Sequence, residues 1–412
     1  MQNKFPSGFL WGAATSAHQV EGNTDNDWTE WEINNSERLA RAASAKQWPD
    51  YVAQGYPNPF DSENYISGEA SGHYARYAED IELAKSLCHN AHRFSIEWSR
   101  VEPEEGRFVE SEIIHYKNII RALRKQGMEP FVTLWHFTLP LWVRNRGGLA
   151  WPEFPKYFAR YAARMTQELD GVKFWMTLNE PTTVIGAGYL SGQWPPQKKN
   201  IFAAIRALKN CVRAHKLAHE AIKAANPETR VGIGHLMLCV EPKRRFSPAA
   251  IFAIIVDFFA NKYFLFLLKN KFDFLGFQYY FHNRIRFPYI IDNENRRVSD
   301  MGWELYPEGI FRLLLSLKEY GKPIYVTENG LADARDLERG WYIRESLAAI
   351  LKAIDAGADV CGYFHWSLLD NFEWDKGFWP RFGLIEVNYK TMERKIRPSA
   401  LAYAEIIKKN SL

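Results

Sequence analysis

Two segments of this chain have the composition for paired-carboxylate chemistry: Thr177-Leu178-Asn179-Glu180-Pro181 and Tyr325-Val326-Thr327-Glu328-Asn329-Gly330. Each has an apolar, β-branched lead-in that reads as a buried strand, and each places its Glu beside a turn-forming Asn, Pro or Gly. A carboxylate at the end of a buried strand is aimed out of a sheet edge. Two of them suit a division of labour, one group as acid/base and the other as nucleophile. Taken singly, either segment reads equally well as a solvated Glu at a strand end.

The elements that must position these groups follow from the alternation along the chain. Short β-like runs fall at residues 10–17, 92–98, 130–134, 174–178, 230–234, 272–277, 324–327 and 360–366. Longer amphipathic stretches lie between them, among them 74–86, 111–126, 154–169, 201–225, 307–320 and 338–356. Eight strands with intervening helices predict an α/β fold, a (β/α)8 TIM barrel, with a doubly wound open sheet as the alternative. No linker, low-complexity tract or repeat interrupts the chain, so a single domain over residues 1–412 is expected. Residues 35–72 read as a long aromatic loop over the barrel mouth. In such barrels the active site lies at the C-terminal ends of the strands. Trp98 with Arg100, His136, Asn179 with Glu180, Gln278 with Tyr280, Glu328 and Trp366 all fall there, which turns the reading of both Glu residues toward chemistry.

Composition narrows the function further. The chain has 412 residues, 47% hydrophobic, so a large core is within reach. Fifteen Trp are enough to line a sugar-binding cleft, although many must be ordinary core residues. With 52 basic and 48 acidic residues, net charge gives no case for nucleic acid. Cys88, Cys211, Cys239 and Cys361 are isolated in sequence, which predicts buried free thiols in a reducing compartment and no zinc or disulfide framework. Residues 1–9 carry no apolar run, so no secretory signal is expected and a cytoplasmic location follows. The most apolar stretch, 249–268, contains Asp257, Asn261 and Lys262, which argues against a membrane span. It reads as a barrel-flanking helix with more apolar residues than one face buries. The excess must lie under a loop, against a membrane surface or in a homo-oligomer contact, and self-association is the expectation.

The ordered set of motifs resembles glycoside hydrolase family 1, the β-glucosidase-like retaining glycosidases, over nearly the whole chain. It begins with Phe5-Pro6-x-Gly8-Phe9-x-Trp11-Gly12-Ala13-Ala14-Thr15-Ser16 and Gln19-x-Glu21-Gly22. Arg93-Phe94-Ser95-Ile96-x-Trp98-Ser99-Arg100, Thr133-Leu134-x-His136-Phe137 and the two Glu segments follow. Trp366-Ser367-Leu368-Leu369-Asp370-Asn371-Phe372-Glu373-Trp374 and Arg381-Phe382-Gly383-Leu384 close the set.

The resemblance implies a role at each matching position. Glu180 would be the acid/base and Glu328 the nucleophile, with Arg93 and Tyr280 in contact with Glu328. Gln19, His136, Asn179, Glu373 and Trp374 would hold the sugar hydroxyls, and Trp366 would lie under the ring. Gln278 and Phe382 join the substrate-binding set, and Trp303 would flank the leaving group. The implied reaction is double displacement on terminal β-D-glucosyl residues, with galactosyl and fucosyl residues also open, in small β-glycosides or short oligosaccharides. No cofactor and no metal are implied. The chemistry agrees. A cation and a hydroxyl donor favour an ionised nucleophile, and the nearby anion keeps a proton on the acid. A retaining pair stands roughly 5–5.5 Å apart.

This chain departs from the family pattern in three places. Gln278 stands where the family usually has Asn, and the segments before Asp273 and after Gly330 are short, which predicts an open leaving-group side or an interface there. The spacing of His215 and His219 suits a metal but lacks a third ligand, and Gly232-Ile233-Gly234 lacks the third glycine of a dinucleotide site. A 6-phospho-glycoside would meet an anion at Glu373. A non-catalytic sugar-binding barrel is the rival of another class, but such relatives lose one or both Glu residues. Transglycosylation has no signature in sequence.

Overall fold

Apolar and β-branched runs form eight strands: β1 (Leu10–Ala14), β2 (Ala91–Ser95), β3 (Glu129–Trp135), β4 (Phe174–Asn179), β5 (Arg230–Pro242), β6 (Phe274–Arg286), β7 (Ile324–Asn329) and β8 (Val360–Trp366). Each pairs in parallel with its neighbours in chain order. β8 returns to β1 in register from Leu10↔Gly362 to Ala14↔Trp366. That pairing closes the barrel and excludes an open sheet. The computed structural model describes residues 4–244, 246–269, 271–287 and 290–412. Residues 1–3, the head of the stretch read as lacking a secretory signal, lie outside the described residues.

The barrel interior is plugged by rings. Phe131 stacks on Phe174 at 5.0 Å and meets Phe364 at 5.1 Å, and Phe274 meets Tyr325 at 5.3 Å. With its floor filled, the barrel can host a site only above this layer, at the strand C-termini. The flanking helices dock by helical periodicity. The helix Phe154–Glu168, for example, buries Phe158, Tyr161, Ala162 and Met165.

Three expectations need correction. Residues 35–72 are not irregular throughout. Their first part continues the helix α1 (Asp27–Ser44), which starts where the Asn26 side chain accepts from Trp28 and Thr29 N–H. Only the later part runs as a loop across the mouth, held where the Asn64 side chain bonds Lys376 O and the N–H groups of Phe378 and Trp379. Second, β5 and β6 extend well past their predicted ends, paired as far as Pro242↔Ile285. Third, not all thiols are buried. Cys88 is exposed on a left-handed turn beyond a helix end, and Cys361 is half-buried.

Between β5 and β6 lies one helix, α2 (Pro248–Leu268), with a π-helical turn at Phe258–Lys262. At 21 residues and a mean hydropathy of 1.9, it is long and apolar enough to cross a membrane by length and composition. Here one face is packed on the barrel through Ala249, Ala253, Phe264, Leu265 and Leu268. The Asn261 amide clamps it to β5 by bonding both Leu238 N–H and Leu238 O at 2.8 Å. Ile251 (68%), Ile254 (71%) and Phe259 (59%) remain exposed, so among the described residues no loop covers the excess.

Candidate active site

Glu328 is the penultimate residue of β7 and Glu180 follows β4 directly. Glu180 has a left-handed backbone, φ 40° and ψ 53°. The following proline disfavours the right-handed helical region for Glu180, and its N–H is held by Gly234 O at 2.9 Å. Phe137 and Trp374, on the same pocket, are also left-handed. Such backbones persist only where the surroundings fix them, and they gather at functional sites.

Glu328 is held by donors on both oxygens. Arg93 Nη1 donates to Oε1 at 2.5 Å and Gln278 Nε2 at 2.8 Å, while Tyr280 OH donates to Oε2 at 2.9 Å. Arg93 is fully buried and all of its nitrogens are engaged. Nη1 also reaches Thr327 O, Nη2 donates to Asn179 Oδ1 at 2.6 Å, and Nε to Thr133 Oγ1 at 3.2 Å. Asn179 Oδ1 accepts a second bond from Gln278 at 2.7 Å. Gln278 thus supplies an amide to both Asn179 and Glu328. Gly234 makes room for this cluster, since a Cβ there would lie 2.8 Å from Asn179 Oδ1.

Burial raises three carboxyls that line the pocket, Glu180, Glu328 and Glu373. Glu180 is pushed well above the usual carboxyl range, first by desolvation and then by the Glu328 charge. Glu328 is also raised by burial, but Arg93, Tyr280 and Asn179 oppose the rise. Glu373 is pushed up to about 8 by burial and by the charges of Glu328 and Asp375. The proton is therefore favoured on Glu180 over Glu328. His136 is held neutral by burial and the Arg93 charge. Its Nε2 accepts from Asn179 Nδ2 at 3.1 Å, so the proton sits on Nδ1, which is buried without a protein partner.

The pocket encloses about 200 Å³. His136, Asn179, Glu180, Tyr280, Trp303, Glu328, Trp366, Glu373, Trp374 and Phe382 all line it. Gln19, Arg93 and Gln278 stand fully buried behind it. Gln19 Nε2 donates to Phe372 O at 2.8 Å and reaches Glu373 Oε2 at 3.4 Å. Trp374 packs on Phe137 (4.9 Å) and Trp28 (4.6 Å), and Trp303 on Phe281 (4.5 Å). Sequence reasoning missed other residues of the lining, among them Thr183, Trp194, Leu236, Phe281, Met301 and Asp375. Only Trp194, set before two prolines, carried a loop signal.

The histidine pair is structural. His215 Nδ1 bonds Thr177 Oγ1 at 2.7 Å and its Nε2 donates to Lys271 O at 2.5 Å. Cys239, Glu241 and His282 come within 4.8 Å of one another. Glu241, however, is already paired with Arg312 and stands 3.7 Å from Arg284, while burial pushes the Cys239 thiol up to about 11. None of the three lines the pocket.

The glycosyl hydrolase family 1 model matches residues 1–266 and 255–412. The chain belongs to glycosyl hydrolase family 1. β-Glucosidase A of Thermotoga maritima is 34% identical, covering 99% of each chain. A β-galactosidase of Pyrococcus woesei is 30% identical over 99% of this chain and 98% of its own. Among solved structures, the β-glycosidase from Pyrococcus horikoshii superposes with TM-score 0.88 at 35% identity, covering 100% of this chain and 96% of its own. The family 1 assignment and the superposition agree with the eight-stranded barrel.

Proposed function

We propose that this family 1 hydrolase is a retaining β-glucosidase in which Glu328 is the nucleophile and Glu180 the acid/base. The observation that carries the reading is the asymmetry between the two carboxyls: Glu328 accepts from Arg93, Gln278 and Tyr280, whereas Glu180 is raised further and, among the described residues, pairs with no such cation. In the first step Glu328 attacks the anomeric carbon, the bond to the leaving oxygen breaks, and Glu180 gives that oxygen its proton. The glycosyl ester removes the Glu328 charge, which lowers the proton affinity of Glu180. In the second step Glu180 takes a proton from water, the water oxygen bonds the anomeric carbon, and the Glu328 carboxylate leaves.

The sugar hydroxyls have matching partners. His136 Nδ1–H and the remaining Asn179 N–H are donors, and Glu373 is the acceptor. Donation from the sugar favours the Glu373 anion over the acid it tends to be in the buried pocket. An unphosphorylated glycone fits this set, since a phosphate would meet the carboxyls of Glu373 and Asp375, which both line the pocket. Glucose is the favoured glycone by the names of the Thermotoga relatives. The Pyrococcus woesei relative supports galactosides as a second reading, decided by kcat/KM on aryl β-glucoside against aryl β-galactoside.

Azide rescue separates the carboxyl roles. Glu328→Ala with azide should yield the α-glycosyl azide, and Glu180→Ala the β-glycosyl azide, with its losses greatest on poor leaving groups. The same anomer from both variants would contradict the assignment.

A further inference from the structure

Trp374 lines the pocket from a left-handed backbone, φ 50°, so no regular element sets the course of its indole. The rings packed around it must do so. Trp28 and Phe137 meet it at tilts of 51° and 41°. His18 lies nearly parallel to it, 10° off at 5.5 Å. His18 is fully buried and does not line the pocket. Its own plane is locked at both ring nitrogens. Nε2 bonds Glu32 Oε1 at 2.7 Å, and Nδ1 is met by Thr24 Oγ1 at 2.8 Å and Asn26 Nδ2 at 3.1 Å. Glu32 is buried as well, and its Oε2 accepts from Ser67 N–H at 2.8 Å and from Ser67 Oγ at 2.7 Å. A line of contacts therefore runs from the mouth loop at Ser67 through Glu32 of α1 to the imidazole, and from there to the indole in the pocket wall.

We infer that His18 is a positioning residue for the reaction: its imidazole, locked by Glu32 and through Glu32 by Ser67, fixes the plane of the Trp374 indole against which the sugar is held. The inference rests on the β-glucosidase reading above, with Trp374 among the groups that bind the glycone. Two observations select this role. The mechanism uses neither His18 nor Glu32, yet both are buried polar groups with every bond directed at holding one ring plane. A phenyl ring at this position would offer the same flat face to the indole, but nothing would fix its rotation. The hydrogen bonds are what a histidine adds, and the pocket wall is the surface they control.

The test is a double-variant cycle read in kcat/KM on aryl β-glucosides, with thermal melts to verify folding. His18→Phe keeps a ring and removes its hydrogen bonds. It should lower kcat/KM roughly 10- to 100-fold, the range for a displaced positioning group. The factor should be the same for good and poor leaving groups, because the glycone is misplaced while the proton on Glu180 is not. In the Trp374→Ala background the same change should cost less than about twofold, since the indole through which it acts is gone. Ser67→Ala leaves His18 in place and removes one bond to Glu32. It should cost about two- to tenfold, again only while Trp374 is present, and it decides the matter should His18→Phe fail to fold. Losses that multiply with that of Trp374→Ala, losses greatest on poor leaving groups, or unchanged kinetics in the folded variants would each overturn the positioning role while the glucosidase reading stands. No turnover of aryl β-glucoside or β-galactoside by the wild type overturns both.

Discussion

Glu373 shows how the pocket trades stability for binding. Buried beside Glu328 and Asp375, its carboxyl titrates at about 8 in the fold, against an ordinary value near 4.3 in the unfolded chain. The folded state therefore holds this proton more tightly. Its penalty is absent below the unfolded value, grows as pH rises from there to about 8, and is constant above. Glu373→Gln removes the penalty, so the variant should be more stable than the wild type by on the order of 5 kcal/mol at pH 9 and equal to it near pH 4. Urea denaturation at the two pH values checks this, and an equal offset at both would contradict it. The same variant should lose about 10- to 100-fold in kcat/KM, because the charged acceptor for the sugar is gone.

At the scale of elements, β5 decides the geometry. Gly232-Ile233-Gly234 looks in sequence like a fragment of a nucleotide loop, yet it is strand interior whose missing side chains admit neighbours. A Cβ on Gly234 would meet Asn179 Oδ1 and Met176 Cε at 2.8 Å and Gln278 Nε2 at 3.2 Å. Gly234→Ala should displace the Asn179 amide that links Arg93, Gln278 and His136. It should lower kcat/KM at least about tenfold and cost about 1–3 kcal/mol of stability. Unchanged kinetics would show that the amide cluster tolerates displacement. Strand and helix periodicities located nearly every barrel element to within a few residues, because each packs one face against a common core. The long ends of β5 and β6 escaped, since their pairing is set by each other rather than by local pattern. Helix α1 escaped because the aromatic loop after it masked the helix-forming run from Arg38 to Ala43.

Over the whole molecule, the candidate site was legible because closure of the barrel gathers strand-end residues that lie far apart in sequence. Residue types at those ends named Glu180, Glu328, His136 and Trp366 before any contact was known. The left-handed backbones at Phe137, Glu180 and Trp374 were not legible, because they depend on surroundings assembled from distant segments. Nor was a groove beside α2. Sequence showed an excess of apolar residues there, but only the fold shows that Phe252, Ile255 and Phe259 line that groove. The account stands on Glu328 attacking carbon while Glu180 carries the proton, which requires two inversions at the anomeric centre. Proton NMR of the first sugar released from an aryl β-glucoside, read before mutarotation, reports this directly. The β-anomer should appear first, and initial release of the α-anomer would contradict the double displacement and the roles of both carboxyls.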